Sequence, residues 1–406
     1  MRRIAWVLLI VFVFAIPWEY SLDLGEPLGN VARIAGLLVL LVAVPAVLQA
    51  GAVRTPGVLQ WLVLALYLWF CCSYFWTVDA VATLVKMRYF FQDIMIVWLV
   101  WEFAESPADL RDLLRASLAG SWVLAALTLA NFASPEAIAA GQIRFAASGQ
   151  DPNDAARFMD LGFPVAALLF ASETRWPVRM FAVGYFPVAL FAVLLTASRE
   201  GFLAALAALV GCGILLARGR GKAVLGAVFA LPAICAALWL LVPYEIFDRL
   251  ATIPEQIQGG DLNRRWNIWA AGWQAFIHAP IFGSGAGAFV AAAGLYPNDT
   301  AHNTVLSILV AGGLCALTIA LAIVVVAARQ IMQMRGPLRI AMMTSFAVWA
   351  LISLVSAVEE SRTTWLLFGM IALGARLQAE EPERLAACFP ESSPVPQVLL
   401  SMTPVA

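Results

Sequence analysis

Two adjacent arginines, Arg264 and Arg265, and one of the chain's two histidines, His302, fall within or directly after a single polar stretch, residues 244–301. A third arginine, Arg199, opens an apolar run in Thr196-Ala-Ser-Arg-Glu-Gly, and a fourth, Arg362, follows Glu359-Glu360-Ser361. Guanidinium groups hold phosphate or carboxylate oxygens through a rigid fork and stay charged at any physiological pH. An imidazole with an ordinary pKa near 6.5 can accept or donate a proton, or donate a hydrogen bond to phosphate. The spacing alone does not choose between these roles for His302, and Glu359 and Glu360 are alternative bases, or simply partners of Arg362. Taken singly, an arginine at the end of an apolar run ordinarily reaches for lipid headgroups. Their convergence makes a functional site the better reading, because ionisable groups at membrane level are costly.

The elements that must position these groups are membrane helices. Of the 406 residues, 62% are hydrophobic and 13% charged, with a mean hydropathy of +0.86, whereas a soluble domain is nearer a quarter charged. Runs of the roughly 20 residues needed to cross a bilayer can be drawn at 4–19, 31–49, 57–76, 87–104, 112–133, 156–172, 177–197, 200–217, 223–243, 302–328, 338–357 and 363–379. The expected fold is therefore an all-α polytopic membrane protein of about 12 transmembrane helices. Met1-Arg-Arg before the first run could head a signal peptide, but Ile16-Pro-Trp-Glu-Tyr offers no small-x-small cleavage site, so the run reads as a retained span. The six cysteines lack metal-ligand spacing and read as core filler. A net charge of −1 gives no basic surface for nucleic acid.

Placing the N-terminus in the cytoplasm puts most of the 25 Lys and Arg inside, among them Arg2, Arg3, Arg111, Arg115, Arg218, Arg220 and Lys222, as the positive-inside rule asks. The outer segments are acidic or mixed: Asp23 and Glu26, then Asp151 and Asp154, then the insert, then Glu359 to Arg362. Four regions result: helices one to nine over 1–243, an outer insert over 244–301, helices ten to twelve over 302–379, and a cytoplasmic tail over 380–406 expected to be disordered. Arg199, Arg264, Arg265, His302 and Arg362 all gather on the outer side.

Within the insert, Trp266, Trp269, Trp273 and Phe276 recur at helical spacing, which predicts an amphipathic helix at the membrane interface holding Arg265 at headgroup depth. Gly283-Ser-Gly-Ala-Gly lacks the surrounding pattern of a nucleotide loop and reads as close backbone packing or a tight turn. Asp151 and Asp154 could ligate a divalent ion, but Asp151-Pro-Asn-Asp reads better as a turn into a helix N-cap. No metal and no cofactor are expected, since the arginines supply the positive charge. Arg88 with Asp93, and Arg157 with Asp160, are candidate buried ion pairs. His278 reads as structural.

Arg265-x-x-x-Trp269, Pro280-x-x-Gly283-x-Gly285-x-Gly287-x-Phe289, His302-Asn303-x-x-Leu306 and Gly312-Gly313, taken in order, resemble the signature of the O-antigen ligase and polymerase superfamily. Ser198-Arg199 and Asp151-Pro-Asn153-Asp-Ala-Ala are similar to two further blocks, and Glu360-Ser-Arg362-Thr-Thr-Trp365 is a weaker echo. The ordered match runs from about 151 to 313. The resemblance implies a membrane glycosyltransferase of the bacterial inner membrane that acts at the periplasmic face and takes a glycan from undecaprenyl diphosphate. It implies His302, Arg265 and Arg199 as catalytic residues. Arg264, Arg362, Glu360, Asn303 and Trp269 are the expected substrate-binding set. Where the family commonly has a small residue after Ser-Arg, this chain has Glu200, placed to compete with phosphate for Arg199.

The implied partners are the lipid-linked glycan donor, the lipid A core or another glycan acceptor, and membrane lipid, with no nucleic acid. Ligation of O-antigen to the lipid A core is the leading expectation. Polymerisation of O-antigen or exopolysaccharide, and transfer to protein, share the same blocks. The alternative of a different class, a lipid-linked sugar transporter, should show charges through the depth of the bundle and related halves. Here the charges crowd one face.

Overall fold

A computed structural model describes residues 1–22, 24–25, 29–217, 240–259, 264–297 and 299–391. In chain order its helices are α1 (Arg2–Ala15), α2 (Val31–Ala50), α3 (Val58–Cys72), α4 (Ala80–Phe103), α5 (Pro107–Phe132), α6 (Pro135–Ala139), α7 (Pro152–Ser172), α8 (Trp176–Leu195) and α9 (Arg199–Ala217). The polar stretch holds α10 (Tyr244–Ala251), α11 (Ile253–Gln258), α12 (Arg265–His278) and α13 (Phe289–Ala293). The chain continues with α14 (Thr304–Gln333), α15 (Gly336–Ser353), α16 (Arg362–Glu380) and α17 (Pro382–Cys388). The all-helical membrane fold is as expected. Among the described residues nine helices are long and apolar enough to cross a membrane. Helices α4 and α16 also fill expected spans but carry more polar residues. The expected span at 223–243 lies mostly outside the described residues, as do Asp23, Glu26, Arg218, Arg220, Lys222 and Cys235.

Polar residues set where these helices begin. The side chains of Asn30, Asp79, Ser106, Asp151 and Asn303 each accept a backbone N–H of the first turn of α2, α4, α5, α7 and α14, satisfying donors that a membrane interior leaves unpaired. Helix α7 is the central element and packs against α5, α8, α9 and α15. It does so through small residues, Ala155, Ala156, Gly162, Ala166 and Ala167, because lipid tails are as apolar as leucine and close backbone approach must drive association. A side chain at Gly162 would collide with Tyr185, whose hydroxyl donates to Met159 O at 2.7 Å. Large apolar residues such as Leu41, Leu48 and Val210 face outward.

The glycine blocks solve a backbone problem. Helix α14 breaks at Gly313 (φ 65°, ψ −163°), which frees main-chain groups inside the bundle. The 280–285 strand of chain runs into the break: Ser284 N donates to Val310 O at 2.7 Å, Gly285 N to Ala311 O at 3.0 Å, and Leu314 N to Pro280 O at 2.9 Å. Non-helical backbone persists at membrane depth only when protein satisfies it in this way. Any side chain at Gly283 or Gly313, both at positive φ, would overlap the facing main chain.

Three expectations change. The tail from 380 begins with an ordered helix, α17, held by buried Leu385 and Phe389, and residues 392–406 lie outside the described residues. Arg157 pairs with Asp154 at 3.1 Å rather than with Asp160, whose two carboxylate oxygens are buried without a hydrogen-bond partner among the described residues. Arg88 is exposed and lies over the Tyr89 ring at 5.2 Å, so it does not meet buried Asp93.

Candidate active site

The first turns of α4, α7, α9, α12, α14 and α16 meet at one end of the bundle around two cavities that share Asn153 as a wall. The cavity of about 400 Å³ is lined by four arginines, Arg144, Arg199, Arg249 and Arg265, and one carboxylate, Glu200. Apart from Gln256 and Asn153, its remaining wall is apolar: Leu203, Ala204, Ile253, Leu351, Ile352, Leu354 and Val355. Leu203, Leu351 and Leu354 are also exposed on the outside of the bundle.

Main-chain carbonyls fix these guanidinium groups. Arg144 Nε donates to Thr196 O at 3.1 Å and its Nη2 to Asn153 Oδ1 at 2.7 Å. Arg199 Nε donates to Arg249 O at 3.3 Å and its Nη2 to Thr252 Oγ1 at 2.6 Å. Arg249 Nε donates to Ala197 O at 3.0 Å. Among the described residues no carboxylate pairs with Arg144, Arg199 or Arg249; the single carboxylate, Glu200, pairs with Arg265 at 3.0 Å. Glu200 thus stands against Arg265 and not against the adjacent Arg199, reversing the expectation from sequence. Burial and then the neighbouring Arg249 lower the pKa of Arg144, as does Arg199, with Asp151 and Glu200 acting in the opposite direction, as expected where like charges crowd together.

The second cavity, about 560 Å³, is lined by His302 with Lys86, Arg157, Asp151, Asp154, Asp299 and Glu360, and by the hydroxyls of Ser307, Ser356 and Ser361. Its cations are paired: Arg157 with Asp154 at 3.1 Å, and Lys86 with Glu360 and with buried Glu359 at 3.8 Å. The cavity is therefore acidic and rich in hydroxyls, the reverse of its neighbour. His302 is held at φ 45° just before the cap of α14. Burial and then the charge of Arg265 lower its pKa, with Asp151 and Asp299 acting in the opposite direction. The imidazole accordingly stays neutral to lower pH than a free one, the state a proton acceptor needs.

Backbone strain marks the same place. Among the described residues three that are not glycine have positive φ: Ala197, Arg264 and His302. Arg264 and His302 are predicted site residues, and Ala197 lies two positions before Arg199. Such conformations cost roughly 1–3 kcal/mol apiece and persist where surrounding structure enforces them.

The predicted residues divide. His302, Arg265, Arg199 and Glu360 line the two cavities. Arg264 is exposed, lines neither, and provides the left-handed turn before α12. Arg362 is buried and ion-paired with Glu19, with a further bond to Gln92 at 2.7 Å. Asn303 caps α14 and donates to Leu354 O at 2.9 Å. Trp269 Nε1 donates to Ala301 O at 3.1 Å, which docks α12 onto the segment carrying His302. The aromatic stripe is divided accordingly: Trp266 and Trp273 are exposed, while Trp269 is pinned inward. Asp151 accepts from Asn153 N at 2.7 Å and Asp154 N at 3.4 Å, the N-cap its sequence predicts.

Sequence reasoning missed Arg144, Arg249 and Lys86. Lys86 did carry a signal, being one of only two lysines and lying at the edge of an apolar run. Arg144 and Arg249 sit in polar stretches where an arginine ordinarily needs no explanation.

Residues 184–321 match the family described as O-Antigen ligase. The resemblance read from residues 151–313 is thus met over the segment that holds Arg199, Arg249, Arg265, His302 and the glycine blocks. The match supports a multi-pass membrane glycosyltransferase of the O-antigen ligase and polymerase type. Lys86, Arg144, Asn153 and Glu360 lie outside it. No curated protein matches the chain.

Proposed function

We propose that this protein transfers a glycan from undecaprenyl diphosphate to a saccharide hydroxyl at the periplasmic face of the bacterial inner membrane, most directly O-antigen ligation to the lipid A core. One observation carries the reading: four arginines face a single carboxylate in a cavity whose other wall is mainly apolar and reaches the outside of the bundle. A polyprenyl diphosphate has the complementary form, an oxyanion pair joined to a hydrocarbon chain. Arg199 and Arg265, with Arg144 and Arg249, hold the diphosphate, and Leu203, Leu351 and Leu354 pass the lipid to the bilayer.

As the sugar-to-phosphate bond breaks, negative charge grows on the departing diphosphate, and guanidinium groups already in place stabilise it without reorganisation. The acceptor sugar occupies the acidic cavity, where carboxylates and serine hydroxyls match its hydroxyl groups. His302 takes the proton from the attacking hydroxyl as that oxygen bonds to the anomeric carbon. Bond formation, proton transfer and loss of the diphosphate together balance the reaction.

The test is transfer by purified protein given a polyprenyl-diphosphate-linked glycan and, in separate reactions, lipid A core, a repeat-unit acceptor and a serine-containing protein. Product with the core acceptor is expected. Product only with a repeat unit or a protein would reassign the acceptor, and transfer from a nucleotide sugar in place of the lipid donor would sink the reading.

A further inference from the structure

Resting on the proposed function, we propose that Glu200 is a positioning residue that fixes the diphosphate-holding Arg265 and the proton-accepting His302 in register across the two cavities. Its side chain is buried, lines the arginine cavity and hydrogen-bonds a residue that lines the other. Oε2 accepts from Arg265 Nη2 at 3.0 Å on the arginine side. Oε1 accepts from Ser356 Oγ at 2.8 Å, and Ser356 lines the acidic cavity.

The connection continues through the main chain. Ser356 O accepts from Thr304 Oγ1 at 2.8 Å, and Thr304 Oγ1 accepts from Val358 N at 2.9 Å. Thr304 is the first residue of α14, two positions after His302. A second route closes the loop: Arg265 begins α12, and Trp269 on α12 holds Ala301 O. His302 therefore lies between two hydrogen-bonded ties, one through Glu200 and one through Trp269, that both lead back to Arg265. This explains why its strained backbone is retained.

The position is occupied by a carboxylate, yet what the geometry uses is two polar atoms aimed in opposite directions, at Arg265 and at Ser356. Glutamine keeps the side-chain length, a carbonyl oxygen to accept from Arg265 and an amide N–H to donate to Ser356 Oγ, which as a hydroxyl can accept, whereas alanine removes both contacts. A residue whose role was to neutralise Arg265 would behave differently, because Glu200→Gln would then be as damaging as Glu200→Ala.

The experiment compares wild type, Glu200→Ala, Glu200→Gln and Ser356→Ala as purified full-length proteins of confirmed monodispersity. Donor affinity, turnover and the pH profile of turnover are measured on each. Glu200→Ala should weaken donor binding about 10-fold or more, the worth of a charge-assisted hydrogen bond. Its acid limb should also move toward the ordinary histidine value, because Arg265 no longer sits where it repels the proton on His302; Asp151 and Asp299 oppose that repulsion in both proteins. Glu200→Gln should recover most of the turnover. Ser356→Ala should move the acid limb while leaving donor affinity within about 3-fold. Donor affinity of Glu200→Ala equal to wild type, or impairment with an unmoved acid limb and no recovery in Glu200→Gln, would overturn the proposal. If wild type itself showed no acid limb, the base role of His302 would fail instead, and donor affinity would still decide for or against Glu200.

Discussion

On the proposed function Arg265 has two roles, to hold the diphosphate and to pair with Glu200, that one substitution confounds and two substitutions separate. Replacing it with alanine removes a phosphate ligand and also leaves Glu200, whose side chain is 8% exposed, without its cation. Breaking a buried pair by removing one partner costs about 3–5 kcal/mol. Here the lower part of that range applies, because Ser356 still donates to Glu200 at 2.8 Å. Arg265→Ala should therefore lose both activity and roughly 3 kcal/mol of stability. The double variant Arg265→Ala with Glu200→Gln should regain most of that stability, since no buried charge is left over, and none of the activity. Arg265→Lys keeps the charge near Glu200 and should be close to wild type in stability. It forfeits the fork, worth about 1.5–3 kcal/mol for a hydrogen bond to a charged group, or about 10- to 150-fold in kcat/KM. Thermal unfolding and radiolabelled donor transfer, measured on the same detergent preparations, give both axes. Full activity in Arg265→Lys, or recovery of activity in the double variant, would refute the assignment of Arg265 to the diphosphate.

His302→Ala should lower turnover by about 10²- to 10⁴-fold while donor binding survives; loss of donor binding would move the histidine into the phosphate site and the base to Glu359, Glu360 or the substrate. Because burial and Arg265 lower the His302 pKa, the working state is the neutral one, so wild-type turnover should hold as pH falls past 6.5 and decline only below it, and a limb above 7 in the pH profile would contradict this. Transfer should continue in a strong chelator, with Asp151→Ala losing about 0.5–2 kcal/mol of stability as a lost N-cap and little activity; chelator inhibition reversed by added Mg²⁺ or Mn²⁺ would make Asp151 a ligand. In a cysteine-free background, Gly259→Cys should react with an impermeant external thiol reagent and Arg335→Cys should not, since α14 separates these ends of the bundle, and the opposite labelling would invert the site's side.

The fold was readable because helix ends and spans are written in local chemistry. Apolar runs place the long helices with no knowledge of their neighbours, and Asp151-Pro-Asn-Asp marks the N-cap of α7; Asp79 caps α4, well before the apolar run drawn from 87. The ion pairs were not readable, because they depend on how helices rotate against one another. Arg157 reaches Asp154 rather than Asp160 although both lie three residues away, and Arg362 meets Glu19 from the far end of the chain. Glu200 was visible as a departure from the family pattern, but its partner was not, since adjacent residues on a helix point in different directions. Arg144 was lost because its value arises only when the 140–151 loop packs beside Thr196 and Asn153. The break at Gly313 was marked by Gly312-Gly313, while its partner segment was marked separately by Gly283 and Gly285, and only the fold shows that one pairs with the other.

The division of charge between the two cavities bears on why the proposed anion site has arginine throughout. A lysine in a cavity walled by Leu203, Ile352 and Val355 and crowded by like charges could shed its proton, because both burial and neighbouring cations disfavour its charged form. Arginine cannot shed its proton within reach of physiological pH, so the cluster keeps its charge even while empty. The cost of that persistence is mutual repulsion, which main-chain carbonyls at Thr196, Ala197 and Arg249 partly offset. The one lysine at the site, Lys86, lies in the other cavity and is ion-paired with Glu359 and Glu360. On the proposed function, an anionic leaving group would be drawn to one side of Asn153 and a hydroxyl-rich acceptor to the other. His302 lines the cavity on the proposed acceptor side, where burial and then the charge of Arg265 keep it neutral to lower pH than a free imidazole, so that it is able to receive a proton.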